Sequence, residues 1–172
     1  MTNGNMEHQR INGQKKTRKS AATGSRDRIA RIEARDSLVH GRGVFAIAPI
    51  RKGSRIIEYT GKRMSWEEAS GDSDDPRTFL FGLEDKDEVI NAAIGGNESR
   101  WINHSCEPNC EAIEEDGRVF IYALRNLLPG EELLYDYGLK LDEPRTKELE
   151  EEHECRCGAL RCRGTLLAPV ND

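Results

Sequence analysis

The sequence predicts a mainly β domain of short, irregular strands, on three observations. Apolar runs punctuated by glycine and proline fill residues 40 to 61 ("HGRGVFAIAPIRKGSRIIEYTG"), the pattern of brief strands joined by turns. The same style returns at 117 to 138 in "GRVFIYALRNLLPGEELLYDYG". Nowhere do strands alternate with long helical patterns, which argues against a parallel βαβ sheet. A length of 172 residues suits one domain with a sizeable core and is too short for two of ordinary size.

Taken in order, residues 1–28 are basic and nearly free of large apolar side chains ("GQKKTRKSAATGSRDR"). Such a segment cannot bury enough apolar surface to order itself, so a disordered arm is expected. It is either a solubilising tail or a contact for nucleic acid or an acidic partner. The folded part starts near Ile29. In "SWEEA", Ser65 is followed three residues later by Glu68, a capping box for a brief helix. "TFLFGLEDKDEVINAA" reads as two strands around a charged turn. "NHSCEPNC", residues 103–110, carries Pro108 and two asparagines and predicts a shaped loop. After the Pro-Gly turn and the strand ending in "LYDYG", the acidic stretch from Asp142 to Glu154 makes a short helix or a loop.

No stretch approaches the length of a membrane span, and "MTNGNMEHQR" is not a secretory signal. Five cysteines cannot all pair internally. Without a signal peptide a reducing compartment is expected, where clustered cysteines bind metal more often than they pair. The chain is therefore expected to be soluble and intracellular. Its net charge of −5 speaks against nucleic-acid binding by the body, which needs a basic face, and suits a basic protein or peptide instead.

"CRCGALRC" sets Cys155, Cys157 and Cys162 in one tight loop. Three thiolates so close repel one another unless a cation sits among them, and zinc takes four ligands in a tetrahedron. The fourth ligand must come from elsewhere, and either Cys106 or Cys110 would staple the tail to the core. His153 is a further candidate, although a histidine beside a run of glutamates is expected to be solvated. Gly41 and Gly43 in "HGRGVFA" lack the third glycine of a dinucleotide fingerprint and read as a turn; with a ligand there, they would let the backbone approach it closely. Tyr135 and Tyr137 face the same side of an extended strand, as core packing or as the lining of a narrow polar channel.

Together these pieces resemble a SET-domain protein lysine methyltransferase. The matching elements occur in the family's order: "HGRGVFA", "EYTG", "GNESRWINHSCEPNC", "GEELLYDYG" and the terminal "CRCGALRC", which resembles the post-SET zinc motif. The resemblance runs from about Ile29 to Leu167. It implies a β-clip SET fold of short curved sheets with a knot-like threaded loop at 29–141, and an acidic linker with a post-SET zinc segment at 142–170. It implies S-adenosylmethionine held by Gly41, Arg42, Gly43, Tyr59, Arg100, Asn103 and His104. It implies zinc on Cys106, Cys155, Cys157 and Cys162, which leaves Cys110 as the free thiol. Tyr137 matches the catalytic tyrosine, and Tyr135 stands where relatives carry Phe or Tyr, a choice that bears on how many methyl groups are added. Phe79, Phe81 and Trp101 are expected to line the substrate channel. Phe79 or Phe81 replaces a channel tyrosine of many relatives, and the cysteine-rich pre-SET region of many H3 lysine-9 enzymes is absent.

The function so implied is methyl transfer from S-adenosylmethionine to lysine of a histone or another basic protein, by a monomer. The chain would be cytoplasmic in a bacterium, acting on its own proteins or on host chromatin, and nuclear in a eukaryote. The rival expectation is a zinc-stapled module that binds basic peptides without modifying them.

Overall fold

A computed structural model of the chain describes residues 31–71, 79–83, 87–140 and 144–169. The arm expected at 1–28 lies outside the described residues, as do the domain boundaries drawn at residues 29 and 142. In chain order the elements are β1 (Ile32–Asp36), β2 (Arg42–Ala46), β3 (Arg55–Tyr59), β4 (Lys62–Ser65) and the short helix α1 (Trp66–Gly71). They continue with β5 (Leu80–Gly82), β6 (Glu88–Asn91), a 3-10 turn (Glu98–Trp101), β7 (Asn103–His104) and β8 (Cys110–Glu115), then β9 (Arg118–Ala123), β10 (Glu132–Tyr135) and α2 (Lys147–Glu152).

The strands form three small sheets, ordered β1-β2-β10-β7, β3-β9-β8 and β4-β6-β5. Among the described strands only β7 and β10 run parallel; the other pairs are antiparallel. β9 is the centre of its sheet. Five of its six residues, Val119 to Ala123, are buried, so it reads as a continuous apolar run rather than an alternating one. It meets β8 through Asp116 and Gly117, at φ 51° and 72°, the positive pair that a two-residue hairpin of matching twist requires. The capping box at Ser65 is formed: the Ser65 amide donates to Glu68 Oε2 at 3.0 Å and the Glu68 amide to Ser65 Oγ at 3.2 Å. One core, with Val44, Ile50, Phe81, Ile121 and Leu133 at its centre, draws on all three sheets.

The mainly β fold is therefore as predicted, and "NHSCEPNC" is a shaped loop only between its ends, since Asn103 and His104 form β7 and Cys110 opens β8. Its end is held by a side chain that imitates a strand. Asn109 is buried; its Nδ2 donates to the Glu132 carbonyl at 2.7 Å, and its Oδ1 accepts the Leu134 amide at 2.8 Å. Its own backbone amide donates to the Leu134 carbonyl at 3.1 Å. The carboxamide thus supplies the ladder bonds that β10 would otherwise lack on that edge. Asn109→Ala is expected to lower the unfolding free energy by about 3 kcal/mol, because two backbone groups lose their partners. Asn109→Asp should cost nearly as much, since a carboxylate accepts from Leu134 but cannot donate to Glu132. Urea unfolding at constant slope would measure both.

Candidate active site and metal centre

The loop and β10 together bring the site residues into one place. Parallel pairing sets Asn103 opposite Leu134 and His104 opposite Tyr135, and the Ser105 amide donates to the Tyr135 carbonyl at 3.1 Å. Beyond them lies a cleft of about 540 Å³, within the range that holds a cofactor-sized ligand. Its wall carries polar and cationic groups from His40, Gly41, Arg42, Arg100 and Asn103, and aromatic rings from Tyr59, Phe79, Trp101, Tyr135 and Tyr137, with His104 beside them.

One set of wall residues is polar and cationic. Asn103 Nδ2 donates to the carbonyls of His40 and Arg42 at 3.2 and 2.9 Å and to Glu132 Oε1 at 2.8 Å. With its amino group so engaged, the amide offers a ligand its acceptor oxygen. Arg42 and Arg100 both lie over the Trp101 ring, at 5.2 and 4.8 Å from its centroid. Arg100 Nη1 donates to the Ala92 carbonyl at 3.2 Å, while its buried Nε has no partner. An orphaned guanidinium N–H beside an acceptor amide fits the carboxylate and ammonium of an amino-acid moiety, which S-adenosylmethionine has. The cleft carries Arg42, Arg100 and Arg156 against Glu154, so the negative charge of the chain does not extend to this wall.

The other set is aromatic, with Arg100 lying 5.9 Å from the centroid of its Phe79 ring. Tyr135 and Tyr137 have ring centroids 4.9 Å apart, and Trp101 meets Phe79 edge-on at 5.0 Å. The Tyr137 hydroxyl donates to the Ile102 carbonyl at 2.9 Å, and the Tyr59 hydroxyl to the Phe79 carbonyl at 3.1 Å. Burial pushes all three phenols, Tyr59, Tyr135 and Tyr137, above the ordinary tyrosine range. None of them is a base at neutral pH.

The cysteines converge beside the cleft. Cys106 Sγ lies 3.7 Å from Cys155 Sγ and 3.9 Å from Cys162 Sγ, and the Cys106 amide reaches Cys157 Sγ at 3.5 Å. A tetrahedral zinc with bonds of about 2.3 Å sets sulfur neighbours about 3.8 Å apart, so the thiol set fits that ion. Burial pushes Cys106 and Cys155 up. Cys157, against its own burial, is drawn down to about 6 by the amides of Cys106 and Ala159 and by its sulfur neighbours.

His104 stands in the same cluster, with ligating atoms of His104, Cys106, Cys155 and Cys157 all within 4.8 Å of one another. Its hydrogen bonds decide its role. Nδ1 accepts the Tyr137 amide at 3.1 Å, so in the neutral ring the proton sits on Nε2. Nε2 lies 3.3 Å from Cys106 Sγ, where that proton is donated to sulfur and the nitrogen has no lone pair for a metal. The ring is neutral because burial holds it down to about 4, against the pull of Asp136. Its 3.6 Å approach to Asp136 Oδ1 is accordingly not an ion pair at neutral pH. With His104 so engaged, Cys162, whose sulfur lies 3.9 Å from Cys106 Sγ, would complete a four-cysteine set with Cys106, Cys155 and Cys157.

Three expectations change. Phe81 has no exposure and packs behind Tyr59 at 5.3 Å, in the core rather than on the cleft. Gly43 is absent from the cleft wall; a Cβ there would meet Glu132 Oε1 at 2.1 Å and Ser37 Cβ at 2.9 Å, so side-chain crowding requires the glycine, not a ligand. His153 is buried, not solvated, with Nδ1 on the Leu149 carbonyl at 2.8 Å. Cys110 is buried in the core, apart from the thiol cluster. Sequence reasoning missed Val39, His40, Leu139, Glu154, Arg156 and Leu166 on the wall. Leu139 and Leu166 are there because the tail folds back, the Leu139 amide donating to the Leu166 carbonyl at 3.2 Å, and no local pattern announces such a return.

Comparison with known proteins gives one consistent answer. A family model described as SET domain matches residues 41–138. The chain is 38% identical over 143 residues to "Histone-lysine N-methyltransferase 2B" of Homo sapiens, covering 76% of this chain and 5% of that protein. It is 36% identical over 139 residues to "Histone-lysine N-methyltransferase trithorax" of Drosophila virilis, covering 76% and 3%. A third relative, "Histone-lysine N-methyltransferase, H3 lysine-4 specific" of Schizosaccharomyces pombe, is 37% identical over 145 residues, covering 76% and 14%. The chain thus spans only a small part of these relatives. Among solved structures, "ctPRC2 in an autoinhibited conformation bound to S-adenosylmethionine" is similar with a TM-score of 0.56 and 32% identity, over 63% of this chain and 15% of that one.

If the four cysteines hold the metal and His104 only donates to sulfur, Cys162→Ser should lose bound zinc. His104→Gln, whose amide can also donate, should retain about one ion per chain. Elemental analysis of the purified variants would measure both.

Proposed function

The chain belongs to the SET-domain family, and on that premise we propose that it transfers methyl groups from S-adenosylmethionine to the ε-amine of lysine in a basic protein. Histone tails are the substrate class to which the relatives' names point, and such a substrate would take the chain to chromatin. No described helix is long and apolar enough to cross a membrane.

The observation that carries this reading is a single cleft wall that combines cationic and polar groups with a cluster of aromatic rings. Arg42, Arg100, Asn103 and the backbone at His40 and Gly41 would hold the amino-acid end of the methyl donor, with Tyr59 and His104 flanking it. Gly41 suits that approach, since its φ is 46° and a Cβ there meets nothing within 4 Å. When bound, S-adenosylmethionine supplies an electrophilic sulfonium methyl group. Phe79, Trp101, Tyr135 and Tyr137 would take the lysine side chain.

A lysine amine must be neutral to attack. Releasing its proton at pH 7.4 costs about 4 kcal/mol, from an ordinary pKa of about 10.4. The aromatic wall lowers that cost by desolvating the ammonium, and Arg42 and Arg100 repel it. With no base among the three phenols, the proton leaves to solvent. Tyr137 has a positioning role: its O–H is committed to the Ile102 carbonyl, so its oxygen lone pair can accept an amine N–H and turn the nitrogen toward the donor end. The metal centre acts through shape, holding the tail that gives the cleft Cys155, Cys157 and Leu166.

Tyr137→Phe is expected to cut kcat by roughly 100-fold, the scale of lost alignment, with folding retained. Tyr135→Phe should shift the product toward higher methylation by removing a hydroxyl from the channel. Mass spectrometry of histones and lysate proteins incubated with labelled donor checks both. Peptide binding without any label would instead indicate a zinc-stapled recognition module.

A further inference from the structure

Asp136 sits between the two tyrosines in sequence but outside the cleft wall. Its Oδ2 accepts Arg163 Nη1 at 2.6 Å and its Oδ1 accepts Arg163 Nη2 at 2.8 Å, a two-bond fork between the metal loop and the strand end. The pair is largely shielded, with 29% of the Asp136 side chain and 22% of the Arg163 side chain exposed. Oδ1 also accepts the Gly138 amide at 3.0 Å, which fixes the turn immediately after Tyr137. At the other end, Arg163 follows Cys162 and its amide donates to Cys106 Sγ at 3.3 Å. The buried Nε of Arg163 has no partner, so its guanidinium is directed at the carboxylate alone. The Tyr137 amide is bonded to His104, whose other nitrogen faces Cys106 Sγ. Tyr137 is thus tied to the thiol cluster along two routes, and only one of them carries full charges.

We propose that Asp136 and Arg163 are positioning residues: their ion pair latches the metal loop to the strand end, so that closing the C-terminal wall and orienting Tyr137 are one event. The proposal rests on the methyl-transfer reading of the cleft. Neither residue touches the substrate or the donor. The latch needs arginine, because a lysine ammonium makes one point contact where the planar guanidinium makes two parallel bonds. Asn at position 136 keeps the acceptor for Gly138 and loses the charge, so it isolates the pair from the turn.

The test uses the full chain with Asp136→Asn, Arg163→Lys and the double variant, followed by steady-state kinetics, zinc content and the rate of zinc release to a chelator. Each single variant should keep its zinc, lower kcat about tenfold (the size of one charge-assisted hydrogen bond) and leave KM for S-adenosylmethionine unchanged. Zinc release should quicken in both. The double variant should be no worse than either single, because the two residues act as one unit. Unchanged kcat and zinc release in both variants would overturn the proposal, as would single effects that multiply in the double. Zinc loss in Arg163→Lys alone would overturn it too, since Arg163 would then act on the loop without Asp136. A wild-type chain inactive on every substrate, but with zinc release quickened in both variants, would sink the methyl-transfer reading and leave the latch standing.

Discussion

The site depends on β10 being bonded along one edge by a segment that is barely a strand. Asn103 and His104 give it two residues of parallel ladder; Ser105 and the Asn109 carboxamide supply the rest. Parallel pairing normally needs a long crossover to bring the second strand alongside. Here the intervening chain contains β8 and β9, a hairpin that packs as the core of another sheet. The ladder is therefore held by the whole fold, and the residues it aligns cannot drift independently. The donor-side amide, the imidazole and both tyrosines take their positions from this one set of bonds.

Much of this was legible in the chain because the relevant signals were local. Gly and Pro punctuation gave the short strands, Ser65 and Glu68 gave the helix start, and three cysteines within eight residues gave the thiol cluster. The Asp116-Gly117 turn is equally local, since Asp-Gly between two apolar runs is a strong hairpin signal. What escaped was set by long-range packing. Phe79 precedes β5 and Phe81 lies within it, yet the first reaches the cleft and the second fills the core against Tyr59. Gly43 looked like a ligand-facing glycine, but Glu132, 89 residues later in sequence, occupies the space. His153 sits in an acidic run and is nonetheless buried, because the tail folds over it: the Leu166 amide donates to its carbonyl at 2.9 Å.

The charge pattern has a similar lesson. A net charge of −5 belongs to the chain, whereas the cleft is lined by three arginines and one glutamate. The two facts serve different partners. On the proposed reading, the net negative charge of the chain attracts a basic polypeptide over distances up to about a Debye length, while Arg42 and Arg100 in the cleft favour an uncharged amine over an ammonium. A site that captured a cation and then used it as a neutral nucleophile would benefit from this separation of scales.

The cleft wall also has an order in time. Its residues begin at Val39, and the tail supplies Cys155, Cys157 and Leu166 more than a hundred positions later. A ribosome delivers such a chain from the front, at about 5–20 residues per second. Every sheet can be assembled while that final wall is still in the exit tunnel, so a nascent chain presents an open trough rather than a tunnel. Closure of the cleft therefore comes late, when the segment bearing Cys155 and Cys157 folds back against sheets already in place.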